Sequence, residues 1–245
     1  MNLDTTKTVS EMALNVPAAT RVFEKLGIDY CCGGNKSLDQ ACSEANLSVE
    51  LVLESLESAA NAAEHRKRDG RYYEDWQTAP LADLIAHIKN THHKYVKAEI
   101  ARLRPLFDKV CNVHAARYPE LLRLRGDFNA LAQELSMHMM KEEMVLFPYI
   151  ERMEEAVIGS EPILPAPFGT VRNPVASMVH EHDSAGNLLR SMRGLSGDYR
   201  APADACTSFK ALYNALSEFE RDLHKHIHLE NNILFPRAIE MERSA

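Results

Sequence analysis

The stretch His226–Pro236, HIHLENNILFP, decides the fold, because the same design occurs once before as His138–Pro148, HMMKEEMVLFP. Aligned without gaps, the two stretches match at His138/His226, Glu142/Glu230, Leu146/Leu234, Phe147/Phe235 and Pro148/Pro236. One helical turn upstream, Glu134 corresponds to Asp222, and all of these pairs are offset by 88 residues (226 minus 138). The chain therefore contains an internal repeat with the pattern acid-x3-His-x3-Glu-x3-Leu-Phe-Pro.

This repeated pattern places polar groups on a helix face that should pack inward. In a helix, groups spaced by four residues stay within about 80° of one another and form one stripe. The stripe runs among apolar residues, namely Leu131, Leu135, Met139, Val145, Leu146, Phe219, Leu223, Ile227 and Ile233. A single His-x3-Glu is commonly a solvated pair. Its duplication favours metal ligation instead, because histidines and carboxylates on facing helices build di-iron sites.

The composition is typical of a soluble globular chain of 245 residues, with 45% hydrophobic and 26% charged residues. A net charge of -7 argues against nonspecific binding to nucleic acid or to anionic membranes. Residues 1–15 lack the apolar run of a secretory signal, and we see no transmembrane pattern. The five cysteines are odd in number and unevenly spread, which indicates a reducing compartment, so the expected location is the cytoplasm.

Residues 1–65 are predicted to form a small helical domain that carries a Cys-Cys-Gly-Gly loop. The helix signals are Val9–Asn15 as a short amphipathic segment, Pro17 as a first helical position, Gly27 as a left-handed cap, Ser37-x-x-Gln40 as a capping box and Ser48 as the cap of a helix to about Glu64. Residues 66–78 are charged and aromatic without a sustained period, so they are predicted to be a linker.

Residues 79–245 show four long helical patterns, which predict an all-α fold. We expect helices from near Pro80 toward Leu103, from Pro119 to about Glu155 with an interruption at Pro148, from Asn173-Pro174 onward, and from about Asp204 to Met241 with an interruption at Pro236. Residues 157–172 must be a long connection. Two hairpins joined by one long crossover form a four-helix bundle with a pseudo-two-fold repeat.

The first helix of each hairpin should complete the site. His93 precedes His138 by 45 residues, and His182 precedes His226 by 44 residues. The predicted metal ligands are therefore His93, His138, Glu142, His182, His226 and Glu230. Spacing alone leaves the choice open between His92 and His93 and between His180 and His182. We interpret His92, His180, His224 and His228 as solvated or neighbouring groups, because such positions point about 100° or 200° away from a ligand.

A count of donors suggests the kind of metal. Two six-coordinate metals need about twelve positions. Four imidazoles, two bridging glutamates and an oxide or hydroxide bridge leave about one open position on each metal. Carboxylate with imidazole and without thiolate suits iron or manganese better than copper or structural zinc. Glu134 and Asp222 are either ordinary surface acids or groups that orient ligands, relay protons and receive a departing metal.

Four motifs together resemble the repair-of-iron-centres (RIC) family of di-iron proteins over nearly the whole chain. They are Asp29–Gly34 (DYCCGG), His138–Glu143 (HMMKEE), Glu181–Asp183 (EHD) and Leu229–Pro236 (LENNILFP). The resemblance implies a short cysteine-bearing domain followed by a hemerythrin-like four-helix bundle. It also implies two iron ions in an oxo- or hydroxo-bridged non-haem centre on the same six ligands, with Glu142 and Glu230 bridging. Glu134 and Glu181 are similar to carboxylates that the family links to iron movement.

The implied function is the repair of iron–sulfur clusters damaged by nitrosative or oxidative stress, through donation of labile iron. The implied partners are damaged or apo iron–sulfur proteins, with nitric oxide, oxygen or peroxide at the open iron positions. Three alternatives remain: a di-iron nitric oxide or nitrite reductase, a hemerythrin-like carrier of NO or O2, and a bundle without metal. The sequence does not decide between donor and enzyme, and it sets no oligomeric state.

The adjacent Cys31 and Cys32 leave several interpretations open. They are predicted to form a strained disulfide, to act as nucleophile and resolving thiol, to hold a transferred metal, or to be buried structural thiols. The remaining three cysteines, Cys42, Cys111 and Cys206, are expected in the core.

Overall fold

The computed structural model describes residues 5–16, 18–31, 33–68 and 75–245, and for residues 62–68 it describes the backbone alone. Within these ranges the chain is helical, and its only bridges of β type are the isolated pairs Thr8–Ser37 and Ala166–Gly169. The contacts divide the chain into two compact units, Met1–Pro80 with His224–Pro236, and Leu81–Leu223 with Arg237–Ala245. None of the helices in the described ranges has the length and apolar character that a membrane span requires.

Four helices form the N-terminal part of the first unit: α1 (Val9–Asn15), α2 (Ala19–Leu26), α3 (Leu38–Glu44) and α4 (Val49–Arg68). Thr8 and Glu11 begin α1 with a reciprocal capping box. The predicted left-handed cap at Gly27 is confirmed, with φ at +71°. Ser37 accepts a hydrogen bond from the Gln40 backbone N–H at 3.3 Å and so begins α3. Pro17 lies outside the described residues.

The loop after α2 is held by a close backbone approach. The Ser10 N–H donates to the Gly34 carbonyl at 2.9 Å. A Cβ at Gly34 would lie 2.6 Å from the Tyr30 carbonyl oxygen and 2.9 Å from Ser10 Cβ, so the position requires glycine. Tyr30 is fully buried, and its ring stacks on Phe23 with centroids 6.1 Å apart. The absence of a side chain at Gly34 therefore lets the loop pack against the helical core.

The second unit contains most of the four-helix bundle, and short π-helical segments interrupt three of its helices. The bundle helices are α5 (Leu81–His87), a π segment (Ile88–His93) and α6 (Lys94–His114); α7 (Glu120–Lys141), a π segment (Glu142–Leu146) and α8 (Phe147–Ile158); α9 (Arg172–Leu195); and α10 (Thr207–Leu229), a π segment (Glu230–Leu234) and α11 (Phe235–Ser244). Helix α7 packs on α6 and α9, and α5 packs on α8. The predicted all-α bundle is confirmed.

Aromatic side chains fill the core of the second unit. The rings of Phe107 and Phe128 lie 5.0 Å apart, and Phe128 meets Phe219 edge-on at 5.9 Å. All three side chains are fully buried. These residues come from α6, α7 and α10, so one aromatic cluster ties both hairpins together.

Several predicted helix boundaries were wrong. The first bundle helix continues to His114 and not only toward Leu103, because its buried positions extend through Val110 and Cys111. The third begins at Arg172, just before Asn173-Pro174, and Pro174 lies in its first turn, where its missing N–H costs nothing. The fourth begins at Thr207.

The interruptions expected at Pro148 and Pro236 take the form of π segments just before each proline, and the chain stays helical through both positions. Each proline is the second residue of an α-helix that directly follows a π segment. A proline ring clashes with the carbonyl four residues earlier and removes one hydrogen bond. The wider turn of a π segment relieves both problems without ending the helix.

The internal repeat extends to the way two helices begin. Backbone N–H groups of Leu81 and Ala82 donate to the Glu154 carboxylate at 2.6 and 2.8 Å. The Val171 N–H, at the start of α9, donates to the Glu242 carboxylate at 2.8 Å. Glu154 and Glu242 are again 88 residues apart (242 minus 154). In each hairpin, an acid near the end of the second helix thus caps the first.

The expectation that three cysteines lie in the core holds for two of them. Cys42 and Cys111 are buried, but Cys206 is exposed. Cys206 immediately precedes α10, and its carbonyl accepts the first helical hydrogen bond from the Lys210 N–H. A residue in this capping position lies at the surface, with its side chain directed toward the backbone N–H groups of the first turn.

We predict that Glu154→Ala lowers the free energy of unfolding by about 1–2 kcal/mol, because it leaves two helix-terminal N–H groups without their charged acceptor. Urea denaturation followed by circular dichroism measures the change. Glu155→Ala, which alters an exposed neighbour on the same helix, is the matched control and should change stability by less than about 0.5 kcal/mol. Equal effects of the two substitutions would contradict the capping role.

Candidate metal centre

The π segments position three of the six predicted ligands. His93 ends the first π segment, while Glu142 and Glu230 each begin one. His138 and His226 stand one α-helical turn before the two glutamates, and all five side chains are buried. His182 is buried on α9, with 1% of its surface exposed. Local widening of a helix is common at functional sites, and here it coincides with ligand positions.

The six side chains form two overlapping groups of potential metal ligands. One group is His93, Glu142, His226 and Glu230, and the other is His138, Glu142, His182 and Glu230. Within each group the ligand atoms lie within 4.8 Å of one another. Each group has two imidazoles of its own, whereas the two carboxylates belong to both. The two glutamates are completely buried.

The imidazoles turn the same ring nitrogen toward the glutamates. Nε2 of His93 lies 3.4 Å from Glu142 Oε2, and Nε2 of His138 lies 3.3 Å from Glu142 Oε1. Nε2 of His226 lies 2.9 Å from Glu230 Oε1. The Nε2 atoms of His138 and His182 are 3.0 Å apart. Four imidazole nitrogens are therefore available to a cation together with the carboxylates.

The outer nitrogen of two of these histidines is held by an additional carboxylate. Nδ1 of His93 lies 2.7 Å from Glu143 Oε1, and this carboxylate also accepts from Lys97 Nζ at 2.7 and 2.9 Å. Burial acts to raise the pKa of Glu143, but the hydrogen bonds from Lys97 and His93 together outweigh it and lower the pKa. An ionised carboxylate on Nδ1 orients the ring and strengthens Nε2 as a donor.

His138 has the equivalent arrangement. Its Nδ1 lies 3.0 Å from Glu181 Oε2, and Glu181 also accepts from Lys141 and from Ser177 Oγ. Burial again acts to raise the pKa of Glu181, and the hydrogen bonds from Lys141 and His138 outweigh it, so the pKa is lowered. Two His-Glu-Lys chains thus run from buried imidazoles to partly exposed ammonium groups.

The other predicted outer acids have different contacts. Asp222 Oδ1 lies 3.0 Å from Nδ1 of His92, and neither residue belongs to a ligand group. The Glu134 carboxylate accepts from Ser184 Oγ at 2.9 Å. Sequence reasoning assigned no role to Glu143. Glu143 directly follows the shared Glu142, which is the one feature of the sequence that draws attention to it. Adjacent helical positions point about 100° apart, so the pattern alone did not place Glu143 beside His93.

The remaining histidines near the pattern differ in burial. His180 is exposed. His228 is buried and lies edge-on to Tyr30 at 5.3 Å, and its Nδ1 accepts from Asn232 Nδ2 at 2.8 Å. Burial lowers the pKa of His228 to about 4, so it is neutral at pH 7. These contacts belong to the first unit, in which Asn232 Nδ2 also reaches the Tyr30 carbonyl at 3.4 Å.

Cys31 lies in the loop that follows Tyr30. It is buried, and both its N–H (3.1 Å) and its thiol (3.4 Å) donate to Asp29 Oδ1. Cys32 lies outside the described residues, so the interpretations of the pair stay predictions.

The residues present suit a metal of intermediate hardness. Nitrogen from neutral imidazole and oxygen from carboxylate are the donors that iron and manganese accept, and the two groups contain no thiolate. Two fully buried carboxylates also favour a cation in their midst, because burying negative charge without compensation is expensive.

We predict that Glu143→Gln and Glu181→Gln each weaken metal affinity about 10- to 100-fold, since each removes the charged partner of an imidazole Nδ1. Anaerobic titration with ferrous iron against a chromophoric chelator measures the affinity. Glu134→Gln is the control, because its hydrogen bond goes to a serine. An affinity unchanged in both test variants would contradict the orienting role.

Comparison with known proteins places this arrangement in a family. Residues 84–238 match the Hemerythrin HHE cation binding domain, and residues 5–60 match the Domain of Unknown function DUF542. The predicted boundaries at 1–65, 66–78 and 79–245 stay predictions, and residues 69–74 of that linker are outside the described ranges.

Several relatives align with nearly the whole chain. The chain is 37% identical over 231 residues to the iron-sulfur cluster repair protein YtfE of Citrobacter koseri, covering 94% of this chain and 96% of that protein. It is 36% identical over 236 residues to the protein of the same name in Pectobacterium carotovorum subsp. carotovorum, covering 96% and 98%. The Escherichia coli O8 protein of that name is 36% identical, covering 94% and 96%. The chain therefore belongs to the family that its motifs predicted, in which a DUF542 domain precedes a hemerythrin HHE cation binding domain and whose curated members are named iron–sulfur cluster repair proteins.

Proposed function

We propose that this protein repairs damaged iron–sulfur clusters by donating iron that its bundle holds in a readily released form. The relatives are named for this repair, and they align with nearly the whole chain. The observation that carries the proposal is the sharing of Glu142 and Glu230 between two groups of ligands. Shared carboxylates suit a pair of cations held close together.

The proposed occupant is a pair of iron ions with Glu142 and Glu230 as bridges. His93 and His226 would serve one ion, and His138 and His182 the other. Each group then supplies two nitrogens and two carboxylate oxygens, which is four donors. Iron accepts about six, so the protein leaves positions that small ligands can occupy. The bound pair would supply a labile cargo and Lewis acidity toward such ligands.

The chain's own residues favour release as well as binding. When a cation leaves, the imidazole nitrogens that held it must take up protons or new hydrogen bonds. The carboxylates of Glu143 and Glu181 are 26% and 28% exposed, and each contacts a buried imidazole directly. We infer that these two carboxylates connect the ligand histidines to solvent protons. The partners that receive the iron would be damaged or apo iron–sulfur proteins.

The second candidate is an enzyme that reduces nitric oxide or nitrite, or a carrier of NO or O2. The observation in its favour is the same four-donor group, because two neighbouring cations with vacant positions can hold two small ligands side by side. Donation and reduction use the same residues and are separated by whether iron or the small molecule is consumed.

We predict that Glu230→Leu removes iron from both positions, because the variant lacks a carboxylate that both groups share. Iron per chain, measured by plasma mass spectrometry after anaerobic loading, should fall from two to less than about one. The absorption of the oxidised bridged pair should disappear with it. Glu240→Leu changes an exposed glutamate of the same bundle helix and should keep both ions. Two retained irons in the Glu230 variant would argue strongly against bridging.

A parallel assay separates the two functions. Iron-loaded protein is mixed with an apo iron–sulfur protein plus sulfide and thiol, and separately with nitric oxide and a reductant. The donor function predicts cluster formation that consumes the bound iron, without nitrous oxide over many turnovers. Sustained nitrous oxide formation without iron loss would contradict donation and favour the enzyme. The Glu230→Leu protein, reloaded under the same conditions, should fail in both assays.

A further inference from the structure

A cysteine and a histidine meet at the far end of the bundle, where the metal centre plays no part. Nε2 of His114, at the end of α6, lies 3.1 Å from Sγ of Cys206, just before α10. The sulfur is exposed, and the imidazole ring packs on Phe209 with centroids 5.3 Å apart. A nucleophile within hydrogen-bonding distance of a base is the minimal arrangement for an activated thiol.

Two further features favour the thiolate. The backbone N–H groups of Phe209 and Ser208, in the first turn of α10, and the His114 imidazole lower the pKa of Cys206. The first turn also carries the positive end of the helix dipole. Negative charge on the Cys206 sulfur is therefore favoured by the imidazole at the end of α6 and by the backbone at the start of α10.

The neighbouring charges hold this arrangement in place. Asp204 accepts from the Tyr118 hydroxyl at 2.6 Å and pairs with Arg117, so the segment before α10 is fastened to the segment after α6. Asp204 opposes the thiolate, but its charge is already paired with Arg117. Among these groups, His114 is the one whose contact with the sulfur defines the site.

The pair is remote from the ligands within the second unit. Helix α6 begins directly after His93 and ends at His114, which separates these two residues by about 30 Å along the helix. A modification at Cys206 therefore lies far from His93, the proposed ligand that directly precedes α6.

We propose that Cys206 is a reactive thiol that forms reversible mixed disulfides with small-molecule disulfides, with His114 as its base. The Cys206 thiolate attacks one sulfur of the small disulfide, a new S–S bond forms, and the original S–S bond breaks. The departing thiolate takes the proton that Cys206 gave to His114. The small disulfide is itself the oxidant: one of its sulfurs stays bound to Cys206 and the other leaves as a thiol, so no further oxidant is needed.

The test uses the full-length, iron-loaded protein under anaerobic conditions with oxidised glutathione as the probe. Peptide mass spectrometry follows glutathionylation at each cysteine over time. We expect Cys206 to react at least about tenfold faster than the buried Cys42 and Cys111, and dithiothreitol to reverse the modification. Iron content should be the same before and after. Reaction of Cys206 no faster than that of the buried thiols would overturn the proposal.

The role of His114 is read from the pH dependence of alkylation at Cys206 by iodoacetamide. We expect a midpoint below the ordinary thiol value of about 8.5 in the native protein and a higher midpoint in His114→Gln. Cys206→Ser keeps a good helix-capping side chain, so it should fold and bind iron normally while losing the fast-reacting site. A native midpoint at or above about 8.5, or an unchanged midpoint in His114→Gln, would show that the imidazole does not activate the sulfur.

Discussion

The burial of two carboxylates among four imidazoles is the constraint on which the rest of the structure depends. Glu142 and Glu230 are fully shielded from water, and both carboxylates contact histidine side chains. Negative charge in such a place is tolerated only when protons or cations compensate it. Protons and metal ions therefore compete for the same nitrogen atoms, and metal affinity must fall as the pH falls. This competition provides a physical basis for binding iron and for giving it up.

The backbone adapts to this constraint where the two repeats carry Leu-Phe-Pro. Pro148 and Pro236 would clash with the carbonyls of Met144 and Asn232 in an uninterrupted α-helix. The π segments Glu142–Leu146 and Glu230–Leu234 avoid the clash and keep each helix continuous. A glutamate begins both segments, so the same distortion of the helix accompanies each shared carboxylate. The repeated motif is thus one structural device used twice.

Much of this architecture could be predicted from the sequence, because it is encoded in spacing. The offset of 88 residues pairs Glu142 with Glu230, and the structure extends it to the helix caps at Glu154 and Glu242. The six residues chosen from the repeat are the six that the structure brings together in two groups. Spacing alone left His92 and His93 unresolved, because their separations from His138 differ by a single residue.

What the sequence could not predict depends on tertiary contacts. Glu143 contacts His93 across two helices, a pairing that no local pattern encodes. The helices were expected to be interrupted at Pro148 and Pro236, because a proline in a helical pattern ordinarily marks an end, and the π segments before them were not foreseen. Cys206 was expected in the core because isolated cysteines usually are buried, yet its capping position keeps it exposed. A contact between distant segments decides the first case, and details of helix geometry decide the other two.

The metal centre and the reactive thiol occupy different parts of the chain and obey different chemistry. At the centre, buried oxygen and nitrogen donors select a cation of intermediate hardness. At the start of α10, an exposed sulfur meets a base and a helix dipole, which selects an electrophile. On the two proposals made above, the sites would respond to different signals, iron supply in one case and the thiol–disulfide balance in the other.

The most direct test of the central claim is an anomalous difference map recorded at the iron absorption edge from crystals of the ferrous-loaded protein. The account predicts two peaks, one beside His93 and His226 and one beside His138 and His182, with Glu142 and Glu230 reaching both. A single peak, or peaks that do not touch the two glutamates, would contradict it.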